Sequence, residues 1–269
     1  MPRGPDPWCG RPRTTCSGSA PTRHGVRVSR PEGWRRVNSA PGPAGGRRPA
    51  STGIRKSGSA GSAGRLTTEW VVVVPVKGTS QAKSRFGPGD HSALALAMAA
   101  DTVAAAIDAV GVAGVLVVTT VEASAVFDDL GAFVIVQQPD GLASAISLGL
   151  SIATEMTEPG RGIAVLLGDL PALTPEELSA ALTAARAHPL AMVEDAAGEG
   201  TALITAVYGA THAPAFGRGS SAAHRAAGYM PLEVSSESGL RNDVDSADAL
   251  RPLEGRLGAR TTQALRANP

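Results

Sequence analysis

The chain has 269 residues, 43% of them hydrophobic and only 3% aromatic, with a formal net charge of +1. That balance hides an asymmetry: residues 1–66 carry 13 Lys/Arg and two acids, Asp6 and Glu32, which leaves 12 bases against 22 acids for the rest. An acidic body is a poor general nucleic-acid binder, since a phosphate backbone needs a basic face, and no nucleic-acid partner is expected; because Cys9 and Cys16 both fall in the basic segment, the rest has neither a disulfide framework nor a thiolate zinc site.

Residues 1–66 are rich in Arg, Pro, Gly and Ser and show no apolar period. Such a segment buries too little surface to offset its chain entropy. We expect a disordered basic tail, or a start codon assigned too far upstream; a basic arm for RNA or a protein partner is the alternative. No apolar run approaches the ~18 residues of a membrane span. Arg35-Arg36 and Arg47-Arg48 are followed by no hydrophobic segment, so the expected location is cytoplasmic, with no membrane partner.

From residue 67 onward strands and helices alternate. Trp70–Val76 is a continuous Val-rich run, the mark of a strand buried on both faces of a parallel sheet. The Ala-rich stretch His91–Val110 has helical spacing. Strands are predicted at Val115–Thr119, Ala132–Gln137 and Gly162–Leu167, with helices at Glu122–Leu130 and Ala143–Met156. Thr174-Pro175-Glu176-Glu177 starts a helix that runs to about Ala187: Thr174 can cap, Pro175 suits the first turn and Glu177 can close a capping box. Extended pieces at Ala191–Glu194 and Thr201–Val207, a helix at Ser221–Ala227, a strand at Tyr229–Val234 and a helix at Ala247–Leu257 follow. This order predicts an α/β fold, a single doubly wound and mostly parallel sheet over residues 67–258, with 259–269 a C-terminal tail. Ligands in such sheets sit beyond the carboxyl ends of the strands.

Three segments at such ends carry candidate chemistry. After the first strand, Lys77, Lys83 and Arg85 place three cations within nine residues around Gly78, suited to a polyphosphate; a solvated basic loop is the plain alternative. The spacing is neither a Walker A loop nor a G-x-G-x-x-G fingerprint. Next, Leu167-Gly168-Asp169-Leu170-Pro171 sets a carboxylate directly after a buried strand, where it can hold magnesium or simply cap a turn. Third, Asp243 and Asp245 point to one side if their backbone is extended, and two such carboxylates repel unless a cation lies between them; Asp245 or Ser246 can instead cap the next helix. Gly198-Glu199-Gly200-Thr201 and Phe216-Gly217-Arg218-Gly219-Ser220-Ser221 lie between them, the second suited to present backbone N–H groups at a helix start. Both can equally be plain turns, and His224, alone in its helix, reads more readily as structural than as a ligand.

Together V-P-V-K…A-K-S-R-F, G-D-L-P, G-E-G-T-A-L, F-G-x-G-S-S-A-A-H and D-V-D-S-A-D-A-L resemble the 2-phospho-L-lactate/phosphoenolpyruvate guanylyltransferases of coenzyme F420 biosynthesis, from about Val71 to Leu250. The resemblance implies a nucleotidyltransferase of glycosyltransferase-A-like fold. It implies transfer of GMP from GTP to the phosphate of a three-carbon acid, with Mg²⁺ bound and pyrophosphate released. Carried over, Lys77, Lys83 and Arg85 hold the GTP phosphates, and Gly141 and Gly168 lie against the nucleotide. Asp169, Asp243 and Asp245 hold Mg²⁺, and Thr201, Gly217 and Ser220 meet the phosphorylated acid. Where relatives often read G-L-N after Pro139-Asp140, this chain reads Gly141-Leu142-Ala143. The rival readings are another nucleotidyltransferase, of molybdopterin or sugar-phosphate type, and a non-catalytic nucleotide-binding module. A molybdopterin or sugar-phosphate enzyme usually carries a glycine-rich first loop, whereas Lys77 to Arg85 holds one glycine.

Overall fold

A computed structural model describes residues 27–29, 69–76, 91–138 and 140–267. Strand β1 (Arg27–Ser29) is followed by β2 (Trp70–Pro75), α1 (Ser92–Asp108), β3 (Val112–Thr119), α2 (Val121–Asp129), β4 (Phe133–Val136), α3 (Gly141–Met156) and β5 (Gly162–Leu166). The second half comprises α4 (Pro175–Ala185), β6 (Leu190–Glu194), β7 (Thr201–Ala206), α5 (Ser220–Ala226), β8 (Met230–Pro231), α6 (Ala247–Leu250) and α7 (Ala259–Ala267). One eight-stranded sheet runs β1-β4-β3-β2-β5-β7-β6-β8. β4, β3, β2 and β5 are mutually parallel, and β7 runs antiparallel to both β5 and β6. The predicted doubly wound, mostly parallel sheet is therefore the observed one.

The Val-rich strand lies at its centre because both its faces are covered. Trp70, Val72 and Val74 face the cluster built with α1, α2 and α4, while Val71 and Val73 face the cluster under α3. Full burial of each such side chain is worth about 1.5–3 kcal/mol, so an alternating polar residue here would forfeit one face. The capping box reads as predicted: Glu177 N–H donates to Thr174 Oγ1 and Thr174 N–H to Glu177 Oε2.

Four expectations change. Arg27–Ser29, inside the basic segment, pairs antiparallel with β4 at the sheet edge, so an ordered element precedes residue 67. The helix predicted over Ala247–Leu257 stops after α6 and passes into a 3-10 turn at Arg251–Leu253, because Pro252 has no N–H and its ring opposes the preceding turn. The strand predicted over Tyr229–Val234 shrinks to Met230–Pro231; Pro231 cannot donate to a ladder, although Leu232 N–H still reaches Met192 O at 2.8 Å.

The expected C-terminal tail is instead α7, packed along α1. Its start is capped by a side chain from another helix. Buried Asp101 of α1 accepts from the Thr261 N–H at 2.8 Å and the Arg260 N–H at 3.2 Å, satisfying two donors that a helix start leaves open. Asp101→Ala should therefore lower stability by about 1–2 kcal/mol in urea unfolding and loosen α7 first, seen as faster amide exchange at Thr261 than in the sheet.

Candidate active site

The carboxyl edge of the sheet opens into a cleft of about 450 Å³. Its lining includes Asp169, Asp243 and Asp245 as well as Thr201, Gly217 and Ser220. Topology explains the meeting. β2 and β5 are parallel neighbours, so Val76 and Gly168 leave the sheet side by side, with space for a Cβ at Gly168 ending 3.4 Å from Pro75 O. β7 runs the opposite way, so its first residue, Thr201, stands at the edge where β5 ends. β6 ends at that same edge and delivers Asp195.

The third motif is brought in by backbone bonding. Val244 N–H donates to Asp169 O at 2.9 Å. Val244 itself is fully buried, while Asp243 and Asp245 on either side of it both line the cleft. The cap of α6 is Ser246, whose Oγ accepts from Ala249 N–H, so Asp245 is not needed for that task.

Several residues that sequence reasoning passed over hold these groups in place. Thr102 of α1, wholly buried, accepts from Leu170 N–H at 3.1 Å and donates to Met98 O. It thereby fixes the turn that bears Asp169. Arg241 grips the end of β6, donating from Nε to Glu194 O and Asp195 O, from Nη2 to Asp195 O and from Nη1 to Val234 O. Asp195 closes the β6–β7 turn by accepting from Glu199 N–H at 3.0 Å and Gly200 N–H at 2.7 Å. Asp195 was findable by the rule that singled out Asp169, a carboxylate directly after a buried strand. Thr102 sends no such signal, because an Ala-rich helix gives no hint of which threonine faces a loop.

Other predicted positions fare differently. Lys77, Lys83 and Arg85 lie outside the described residues. They fall in sequence between Val76 and His91; of the described residues on either side, Val76, Ala95 and Ala99 line the cleft. Gly141 starts α3 at φ +83°, a conformation that suits glycine, and its neighbour Leu142 lines the cleft. Ala143 is exposed and stands outside that lining. The helix start at Ser220 is a poorer anion site than expected, since Ser220 N–H already donates to Gly217 O and Ser221 N–H to Glu199 O. Gly217, at φ +127°, still brings backbone to the cleft wall.

Residues 84–230 match the model of the MobA-like NTP transferase domain. The chain is 42% identical over 207 residues to the phosphoenolpyruvate guanylyltransferase of Streptomyces scabiei (strain 87.22), an alignment that covers 73% of this chain and 95% of that protein. It is 45% identical over 193 residues to the protein of the same name from Geodermatophilus obscurus, covering 68% of this chain and 86% of the relative. The chain belongs to the phosphoenolpyruvate guanylyltransferase family. Its nucleotidyltransferase fold is also seen in a solved structure from Desulfovibrio desulfuricans G20, described as a nucleotide-diphospho-sugar transferase, at 17% identity and TM-score 0.57, covering 75% of this chain and 95% of that one.

In this family member the described wall of the cleft is strongly anionic. Asp169, Asp195, Glu199, Asp243 and Asp245 face a single base, Arg218. Burial, followed by the charges of Asp169, Asp245 and Asp195, pushes the Asp243 carboxyl up to about 6. A divalent cation would relieve that repulsion. Among the described residues no three His, Cys, Asp or Glu are grouped to enclose an ion by themselves; magnesium commonly takes one or two carboxylates and completes its shell with water and phosphate oxygens.

Behind the cleft lies a neutral histidine network. His212 Nε2–H donates to Ile163 O at 3.0 Å, which leaves Nδ1 to accept from Tyr229 O–H at 3.0 Å; the Tyr229 oxygen accepts from Ala213 N–H at 2.9 Å. These bonds pin the β7–α5 connection to the sheet. Burial drives the His212 pKa down to about 4, against a backbone bond that raises it, and burial lowers that of His224 as well. A base whose folded pKa is depressed contributes fully above its unfolded value and loses that contribution as pH falls through the folded one. Stability should thus decline between pH 6.5 and about 4, by an order of 3 kcal/mol for His212. Thermal melts across that range should show the decline, and His212→Gln should flatten it.

Proposed function

We propose that this family member transfers GMP from GTP to the phosphate of phosphoenolpyruvate at the cleft between Asp169 and Thr201, a step that would serve coenzyme F420 biosynthesis. The observation that carries the proposal is the convergence, in one cleft, of the Asp169/Asp243/Asp245 carboxylates with Thr201, Gly217 and Ser220. The names of the relatives favour phosphoenolpyruvate over 2-phospholactate as acceptor.

The reaction is an in-line displacement. A phosphate oxygen of the acid attacks the α-phosphorus of GTP, the bond from that phosphorus to the β-phosphate oxygen breaks, and pyrophosphate leaves with the electron pair. The nucleophile is already anionic, so no general base is required. The described lining contains carboxylates, hydroxyls and one arginine but neither His nor Cys, a composition suited to positioning and charge neutralisation. Thr201, Gly217 and Ser220 would hold the acid so that its phosphate faces the α-phosphorus. Asp169 and Asp243, with Asp245 beside them, would hold a divalent cation, magnesium by the hardness of the donor set. That ion would supply charge neutralisation of the triphosphate. Because the described wall repels a polyanion, the remaining neutralisation falls to Lys77, Lys83 and Arg85.

Incubation with GTP, Mg²⁺ and phosphoenolpyruvate should release pyrophosphate, and a mass spectrum should show the GMP adduct of the acid. Absence of pyrophosphate with phosphoenolpyruvate, 2-phospholactate and a phosphoglycerate alike would end the proposal. Asp169→Asn should slow the reaction by about two orders of magnitude or more with the melting temperature little changed.

Asp243→Asn separates stability from function. Its carboxyl is raised from 3.8 to about 6, so the ionised form burdens the fold above pH 6 in the absence of metal. The variant should be stabilised at neutral pH by an order of 1 kcal/mol, allowing for solvent screening, and should lose the rise in melting temperature that Mg²⁺ gives the parent protein.

A further inference from the structure

His224 is fully buried and stands behind the cleft, with one ring nitrogen on Thr201 of the lining and the other on Ala215, next to the lining residue Phe216. Nε2 lies 2.8 Å from Ala215 N, and Nδ1 lies 2.9 Å from Thr201 Oγ1. A backbone N–H can only donate, so Nε2 is an acceptor and carries no proton. The ring is buried with its pKa lowered, and its neutral form therefore carries the proton on Nδ1. Nδ1–H then donates to Thr201 Oγ1. A hydroxyl that accepts from the ring keeps its own proton for another partner, and Thr201 opens on the cleft.

The same ring couples the other acceptor contacts. Ala215, held by Nε2, is two residues before Gly217, and Ser220 stands one helical turn before His224 on α5. Edge-on contacts with Phe216, at 5.0 Å, and Tyr229, at 5.2 Å, fix the plane of the imidazole. Turning the ring to correct one nitrogen would break the bond at the other.

We propose that His224 is the positioning residue of the acceptor half of the cleft. It presents the Thr201 hydroxyl as a donor, in register with Gly217 and Ser220, and so selects a ligand with an anionic oxygen there, the carboxylate or phosphate of the acid. The proposal rests on the guanylyltransferase reading for the identity of the ligand, but the proton position does not.

The test uses the full chain. Selective ¹⁵N NMR of the histidine rings at neutral pH, without substrate, should find His224 protonated at Nδ1 alone. Protonation at Nε2 or at both nitrogens overturns the proposal whether or not the protein releases pyrophosphate, so failure of the guanylyltransferase reading is told apart from failure of this one. Kinetics then divide positioning from mere support. His224→Gln reaches toward the Nε2 position and can keep the Ala215 bond but not the Thr201 bond, whereas His224→Asn places an amide N–H near the Nδ1 position.

The glutamine variant should raise KM for phosphoenolpyruvate about tenfold with KM for GTP within about twofold. The asparagine variant should recover a large part of that loss. Combined with Thr201→Val, the glutamine variant should cost little more than Thr201→Val alone, since both remove one interaction. Multiplying losses, or equal rises in both KM values, would reduce His224 to a packing residue.

Discussion

The two aspartate-bearing segments of the cleft meet through a backbone hydrogen bond, from Val244 N–H to the carbonyl of Asp169. It joins the turn after β5 to a segment that arrives only after the whole second half of the sheet is built. It brings Asp169, at a strand end, beside the loop that carries Asp243 and Asp245. The bond is supported from both sides. Thr102 holds Leu170 N–H beneath the first turn, and Arg241 ties the approach to Asp243 onto the last residue of β6 and the first of its turn. Both are buried or half-buried polar groups with their partners satisfied, which is the condition under which such groups specify geometry without a desolvation cost.

The electrostatics follow from that placement. Burying Asp243, and doing so beside other carboxylates, raises its pKa and opposes folding, a cost of the kind expected where a site is organised for a ligand and not for stability. Elsewhere the fold avoids buried charge. His212 and His224 lie against the sheet as neutral rings, each with both nitrogens engaged. The acidic wall and the neutral support behind it are thus distinct: carboxylates crowd one part of the cleft, while a neutral ring engages Thr201 and Ala215.

Much of the fold was legible because its signals are local. Buried parallel strands read as Val runs, and the Thr174–Glu177 capping box is written in four residues. The run rules failed where one residue overrides its neighbours or where an element is stabilised from outside. Pro252 cuts a helix that periodicity would continue. α7, with polar residues and no cap of its own, is a helix because Asp101 supplies the cap from α1. Three of the four cleft-lining aspartates, Asp169, Asp243 and Asp245, were named from the sequence, as were Thr201, Gly217 and Ser220; Asp195 was not. Thr102, Arg241 and the role of His224 were not, since each acts on groups far away in the chain.

The sequence by itself determined which segments form strands and helices, which residues carry charge at the strand ends, and the family to which the motifs point. Those properties depend on neighbours within a few positions, where side-chain period and turn chemistry dominate. Tertiary structure alone decided that β7 reverses direction beside β5, that Thr201 therefore lines the same cleft as Asp169, and that His224 Nδ1 lies 2.9 Å from Thr201 Oγ1. These depend on which distant peptide groups satisfy one another once buried, and hydrogen bonds between distant residues leave no periodic trace in a chain.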